Sequence, residues 1–420
     1  MEYIPLGIFL VSYLLFILLP KIRTPIAVFG AVLLLLTRVV SFKEVLGAIN
    51  WNVMGIFVGT LVVADVFMKS RVPAYLAEVI VDKAKNTTWA ILLMCALTGF
   101  ISAFVENVAT VLIVAPVALT LAKKIQLNPI KMMIAVAISS NLQGAATLIG
   151  DPPSMLLGGF ARMTFGDFFF YQGKPSLFFA VELGAVTSFV VLFVVFRSYR
   201  KKETIIPVER INSWIPTILL GFMIVALALS SFFDPGFTGT AGIICMIFGV
   251  VCALWEMLAN KGNLIRGLKS LDWDTTFFLM GIFVLVGGIT LSGWIDRISV
   301  FFSGLVGQNI YWGYTLLVFV AVVLSAFVDN VPFLAAMIPV AMAMSNEFGI
   351  TPSLFLFGLL IGASLGGNIT PIGASANIVA CGLLKKEGYI VRFRDFLKIG
   401  IPFTLAAIIP AYLFIWIIWG

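Results

Sequence analysis

Residues 102–108, Ser-Ala-Phe-Val-Glu-Asn-Val, return at 325–331 as Ser-Ala-Phe-Val-Asp-Asn-Val, with one carboxylate exchanged for another. Glu106 and Asp329 therefore occupy matching places, each followed by an amide, Asn107 or Asn330. Both copies lie inside long apolar stretches. An ionised carboxylate at the centre of a bilayer costs at least about 2.5–3.5 kcal/mol, so acids at this depth mark transport or coupling sites by default. A bound H+ or Na+ would neutralise such an acid and remove its desolvation penalty. The plainer alternative is an acid that snorkels or caps a helix.

A second duplicated constellation follows each motif. Segments 141–154 and 366–377 are rich in glycine and proline, which interrupt helices through backbone entropy and a missing N–H. Backbone left unwound within lipid must find a ligand, water or protein. The half-helix that resumes afterwards turns its positive end toward the break, which suits an anion or an acidic side chain. The candidate binding and coupling residues are Glu106, Asn107, Asn141, Gly144, Thr147, Gly150, Asp151 and Ser154 in the first copy. Those of the second copy are Asp329, Asn330, Asn368, Thr370, Gly373, Ser375 and Asn377. A Na+ ion is expected at Asn107, Thr147, Asn330 and Thr370. Asp151 is matched by Ala374, so the first copy holds two acids and the second one. Asp65 and Glu182 also fall in apolar stretches, where coupling and helix-interface roles are equally open.

The elements that must position these residues come in two sets of six. The offset of 223 residues that joins Ser102 to Ser325 also joins Pro116 to Pro339, Pro129 to Pro352, Gly144 to Gly367, Thr147 to Thr370 and Gly150 to Gly373. Apolar elements run over about 4–20, 24–40, 51–69, 88–122, 131–160 and 176–197. They recur over about 213–232, 238–259, 274–295, 311–344, 353–384 and 397–418. The fourth of each set is too long for one crossing and reads as a re-entrant hairpin with the acid at its tip. The fifth reads as a broken helix. The expected fold is an all-α polytopic membrane protein of two repeats, 1–202 and 213–420, joined by a cytoplasmic linker over 203–212. Each repeat then crosses five times, and an odd count inverts the second relative to the first.

Charge placement agrees with this topology. With both termini outside, most of the 27 Lys and Arg fall in inner loops, among them Lys21, Arg23, Arg200, Lys201, Lys202, Lys261, Arg266 and Lys385. That placement accounts for the net charge of +7 without nucleic acid as a partner. The chain is 61% hydrophobic and 11% charged, with a mean hydropathy of +1.10, so it cannot cover a water-facing surface. The first apolar stretch lacks a basic leader and reads as a retained helix. There is no histidine, so a His metal site and a His proton relay are excluded. The four cysteines show no CxxC spacing and read as small buried hydrophobes. No phosphate-binding G-x-x-x-x-G-K-[ST] motif occurs.

Segments 102–116, 141–154, 325–339 and 362–382 resemble the signature regions of the ArsB/NhaD ion-transporter superfamily, especially the branch that contains the melanosomal P protein. The resemblance implies a secondary transporter with two inverted repeats, hairpins, broken helices and a homodimeric assembly. Some arsenite relatives work with a separate ATPase subunit. Members export arsenite and antimonite, exchange Na+ for H+, or carry anions. Related carboxylate transporters have Ser-Asn-Thr at each tip, where this chain has Glu106-Asn107-Val108 and Asp329-Asn330-Val331.

The expected function is H+- or Na+-coupled transport of a small inorganic solute across the cytoplasmic membrane, by arsenite-type efflux or Na+/H+ antiport. No cofactor beyond the coupling ion is expected. The alternative is a Na+-coupled anion or carboxylate transporter. A passive channel and an intramembrane aspartyl protease fit less well, because the duplication explains the paired acids without peptide chemistry.

Overall fold

Prolines and glycines punctuate the apolar runs, and the helices stop where they fall. The computed structural model describes residues 3–38, 40–199, 209–259, 267–269, 271–307 and 309–420. Arg200, Lys201, Lys202, Lys261, Arg266 and most of the 203–212 linker lie outside the described residues.

In the first half, α1 (Tyr3–Leu18) and α2 (Arg23–Leu36) flank a corner at Pro20. Next come α3 (Phe42–Ala48), α4 (Trp51–Lys69) and α5 (Val72–Lys83). The acid-bearing hairpin is α6 (Thr87–Ser102) and α7 (Asn107–Lys124). The broken helix is α8 (Ile130–Gly144) and α9 (Pro152–Ala161). A two-residue antiparallel ladder of β1 (Phe170–Tyr171) and β2 (Lys174–Pro175) leads into α10 (Leu177–Phe196). The second half repeats the order. It runs through α11 (Ile215–Phe233), α12 (Thr240–Ala259), α13 (Trp273–Leu291) and α14 (Trp294–Val306). Its hairpin is α15 (Ile310–Ser325) and α16 (Asn330–Glu347), and its broken helix is α17 (Ser353–Gly366) and α18 (Ser375–Lys386). The last helix is α19 (Phe393–Trp419).

Seven described helices are long and apolar enough to cross a membrane: α4, α7, α10, α11, α12, α13 and α19. The apolar elements expected over 4–20 and 24–40 are two short helices. α1 and α2 have 16 and 14 residues and meet at 118°. At 1.5 Å per residue they reach only about 24 and 21 Å, less than the roughly 30 Å of hydrocarbon. Helices α3, α5 and α14 were not anticipated, because a search for apolar runs passes over short helices that carry charge on one side.

Both arms of each hairpin pack on the first arm of their own broken helix: α6 and α7 on α8, α15 and α16 on α17. The halves also interlock. The second hairpin arm of each half packs on the helix beyond the break of the other, α7 on α18 and α16 on α9. Further seams join α2 to α13, α4 to α12 and α10 to α19. The two breaks and the two hairpin tips are thereby carried to the middle of the assembly.

Candidate functional site

Each hairpin turns over four residues, and the acid at the end of the turn starts the next helix. Glu106 precedes α7 and accepts the Ala109 N–H at 3.0 Å. Asp329 precedes α16 and accepts the Val331 N–H at 3.1 Å. Asp151 does the same for α9, accepting the Ser154 N–H at 2.9 Å, and is buried. Each acid thus supplies an acceptor to N–H groups that a helix start leaves unpaired. Helix α18 is the exception, because Ala374 stands where α9 has Asp151 and no side chain caps it.

These four helix starts converge on one cavity of about 80 Å³. Glu106, Asn107, Asn141, Asp151, Asp329, Asn330 and Ser375 all line it. The acids of the two tips, far apart in the chain, therefore share a single chamber. Sequence reasoning missed four of its other walls. Phe57 and Thr275 come from α4 and α13, Asp272 precedes α13, and Arg23 opens α2.

Arg23 requires a correction. Counted among loop cations, it instead enters the cavity and forms an ion pair with Asp329 across the two halves. Its second terminal nitrogen lies 3.4 Å from the Thr275 hydroxyl, and the guanidinium sits 4.7 Å from the centroid of the Phe278 ring. A signal was available, since Arg23 directly precedes the apolar run of α2. Counting loop charges hides it.

The remaining candidates hold the tips and breaks in shape. The Thr147 hydroxyl donates to the Ala103 carbonyl, and the Thr370 hydroxyl donates to the Ala326 carbonyl. The two bonds occupy equivalent places and tie each break to its own hairpin tip. A methyl group added at Gly150 would meet the carbonyls of Gly144 and Ala103, and one at Gly373 those of Gly367 and Ala326. Only glycine permits that approach. Ser154 donates through its hydroxyl to the Gly144 carbonyl at 3.3 Å. Asn377, at the equivalent place, donates to the Gly367 and Thr370 carbonyls, both at 2.9 Å. Thr147 and Thr370, expected as Na+ ligands beside Asn107 and Asn330, do not line the cavity.

One cluster joins the breaks directly. The Asn141 amide donates to Asn368 Oδ1 at 3.0 Å and to Asn377 Oδ1 at 2.9 Å. All three residues are buried, and the Asn368 amide nitrogen has no hydrogen-bond partner among the described residues. At the first tip, the Ser102 hydroxyl donates to Asn107 Oδ1 at 2.6 Å and the Ser140 hydroxyl to the Asn107 carbonyl at 3.1 Å. Asp65 pairs with Lys69 at 2.6 Å, away from the cavity. Glu182 lines a separate, largely apolar cavity of about 450 Å³ with Gln143 and several phenylalanines. Among the described residues no cluster of three or more acidic or cysteine side chains is suited to a metal ion.

Polar helix starts and acids gathered at one point inside an apolar helical assembly define a membrane transporter. Comparison with known proteins agrees and is more specific. The family model of CitMHS, described as citrate transporter, matches residues 13–351 and 263–419. The chain belongs to this transporter family. It is 30% identical over 434 residues to an uncharacterized transporter of Synechocystis, covering 98% of this chain and 96% of that one. It is 26% identical over 472 residues to the P protein of Mus musculus, covering 91% of this chain and 56% of that protein. In fold it is similar to the YdaH transporter of Alcanivorax borkumensis, with a TM-score of 0.63, 13% identity and coverage of 90% and 87%. It is similar also to MtrF of Neisseria gonorrhoeae, with a TM-score of 0.58, 12% identity and coverage of 91% and 83%.

Proposed function

We propose that the chain is a secondary active transporter that moves a small anionic solute, of the carboxylate class for which its family is named, coupled to H+ or Na+. The observation that carries this reading is the convergence of four helix starts on one cavity, three of them capped by the cavity's own acids. With Glu106 and Asp151 ionised, the cavity repels an anion. With a proton or Na+ on them, the field of the helix starts and Arg23 dominates and an anion is welcome. Ion loading and solute loading then become one event, which is what coupling requires.

The order of elements and the matched contacts at an offset of 223 residues support two inverted repeats working by alternating access.

A second reading, exchange of Na+ for H+ with no organic solute, is favoured by one observation. Four acids (Glu106, Asp151, Asp272 and Asp329) face a single arginine. Uptake of labelled citrate, succinate and arsenite into proteoliposomes, under imposed pH and Na+ gradients, separates the readings. Gradient-dependent accumulation of a carboxylate is expected. Na+/H+ exchange indifferent to every solute, or uptake of arsenite alone, would overturn the proposal.

A further inference from the structure

The two tips are built alike, yet among the described residues only one is paired with a cation. Asp329 holds Arg23. Glu106 and Asp151 form no salt bridge among the described residues. The duplication explains how this came about. Helix α2 begins at Arg23, whereas its counterpart in the order of elements, α12, begins at Thr240. On α4, whose Met54–Val58 repeats Met280–Val284 of α13 at an offset of 226, the place that matches Phe278 under Arg23 is taken by Asn52. Asn52 binds only backbone there, accepting the Gly242 N–H at 2.7 Å and donating to the Phe237 carbonyl at 3.1 Å. Among the described residues, the first tip thus faces no positive side chain from the opposing corner.

On the proposed transport reading, we infer that Arg23 is the receptor for the solute's anionic group, and that Asp329 is a resident substitute which the solute displaces. Three observations point this way. A guanidinium offers a planar fork of donors matched to a carboxylate, so one carboxylate can replace another on it. The pair is not sealed off, the side chains being 20% and 26% exposed, and it lies on the wall of a chamber rather than in a packed core. The start of α18, at Ser375 and Ala376, lines the same chamber, and no side chain caps its first N–H groups.

Displacement also has a mechanical consequence. Arg23 leaves the 118° corner between α1 and α2, and Tyr13 on α1 donates to the Pro332 carbonyl just beyond the second tip at 2.8 Å. The Arg23–Asp329 pair therefore fastens this corner to the second hairpin. A solute that takes Arg23 loosens that fastening and frees Asp329 to receive a coupling ion.

The test is citrate binding and uptake by the full chain and its variants, with citrate-induced thermal stabilisation in detergent as the second readout. Arg23→Gln should weaken apparent citrate affinity by about tenfold or more, the loss expected for one charge-assisted contact. Arg23→Lys, which keeps the charge but not the fork, should fall between. Asp329→Asn should bind citrate more tightly than the unmodified chain, because the internal competitor is gone. The double variant Arg23→Gln/Asp329→Asn removes the unpaired charge that either single variant leaves. It should melt near the unmodified protein and still fail to bind citrate.

Unchanged citrate affinity in Arg23→Gln would overturn the inference while leaving the transport proposal intact. So would a loss of affinity in Asp329→Asn as large as that in Arg23→Gln, which would mean the pair is only a structural strut. If the unmodified chain exchanges Na+ for H+ and neither binds nor moves citrate or succinate, the transport proposal fails first and the inference with it.

Discussion

Glu106 and Asp329 each do two things at once. Each caps a helix, as the plainer reading of a buried acid supposes, and each faces the shared cavity. Capping fixes where the carboxylate stands, and the cavity decides what can reach it. Glu106→Gln keeps an oxygen for the Ala109 N–H but cannot ionise. Its fold should survive, while gradient-driven uptake should drop at least about tenfold; loss of gradient dependence with intact thermal unfolding is the signature. Asn141 is a different kind of residue. Its amide is held by acceptors from the second half, so Asn141→Ala strands Asn368 Oδ1 and Asn377 Oδ1. A loss of about 1–3 kcal/mol is expected for buried groups left unsatisfied, read as a lowered Tm in detergent. Asn141, Asn368 and Asn377 could be singled out in the sequence as polar residues beside breaks. That they would bind one another could not, because their side chains differ at the equivalent places: Ser364, Ala145 and Ser154.

At the scale of elements, hairpins and breaks were legible because two independent signals coincide: a repeat at constant offset and helix-stopping residues inside apolar runs. The apolar stretch at 88–122 is divided into α6 and α7, and the one at 311–344 into α15 and α16. What escaped was everything that periodic apolarity does not report, such as the charged helices α5 and α14 and the corner that sends Arg23 inward. The breaks themselves yield a sharp expectation. At Gly373 an added methyl group would lie 2.9 Å from the Ala326 and Ser325 carbonyls, and at Gly150 it would lie 3.0 Å from the Ala103 carbonyl. Backbone of this kind cannot swing aside as a side chain can. Gly150→Ala and Gly373→Ala should therefore each abolish uptake or expression, and about equally, since the two sites are equivalent. Gly221→Ala, where an added methyl group meets nothing within 4 Å, is the control and should leave both unchanged. Tolerance at Gly150 or Gly373 would show that the break can open without loss.

At the scale of the molecule, the repeat does not divide the chain into two bodies lying side by side. The first half meets the second along α2 and α13, α4 and α12, and α10 and α19, and through the exchange of hairpin arms and post-break helices. On the α4–α12 seam, an added methyl group at Gly55 would lie 3.0 Å from Gly242 Cα, so backbone approaches backbone. The start of the second half is also tied back to the first. Glu209 pairs with Arg71 at 2.8 Å, and the Glu209 N–H donates to Glu78 at 2.9 Å. Either half alone would expose unwound backbone and the cavity acids to lipid, which neither helix nor bilayer can satisfy. Segments 1–202 and 209–420 expressed separately should each fail to accumulate. Expressed together as two chains they should associate, survive purification through a tag on one of them, and recover gradient-driven uptake, because everything that builds the cavity is non-covalent. A single half that is stable and active by itself would mean that the cavity can be completed by a second copy of that half, and the division of labour between the two tips would then have to be abandoned.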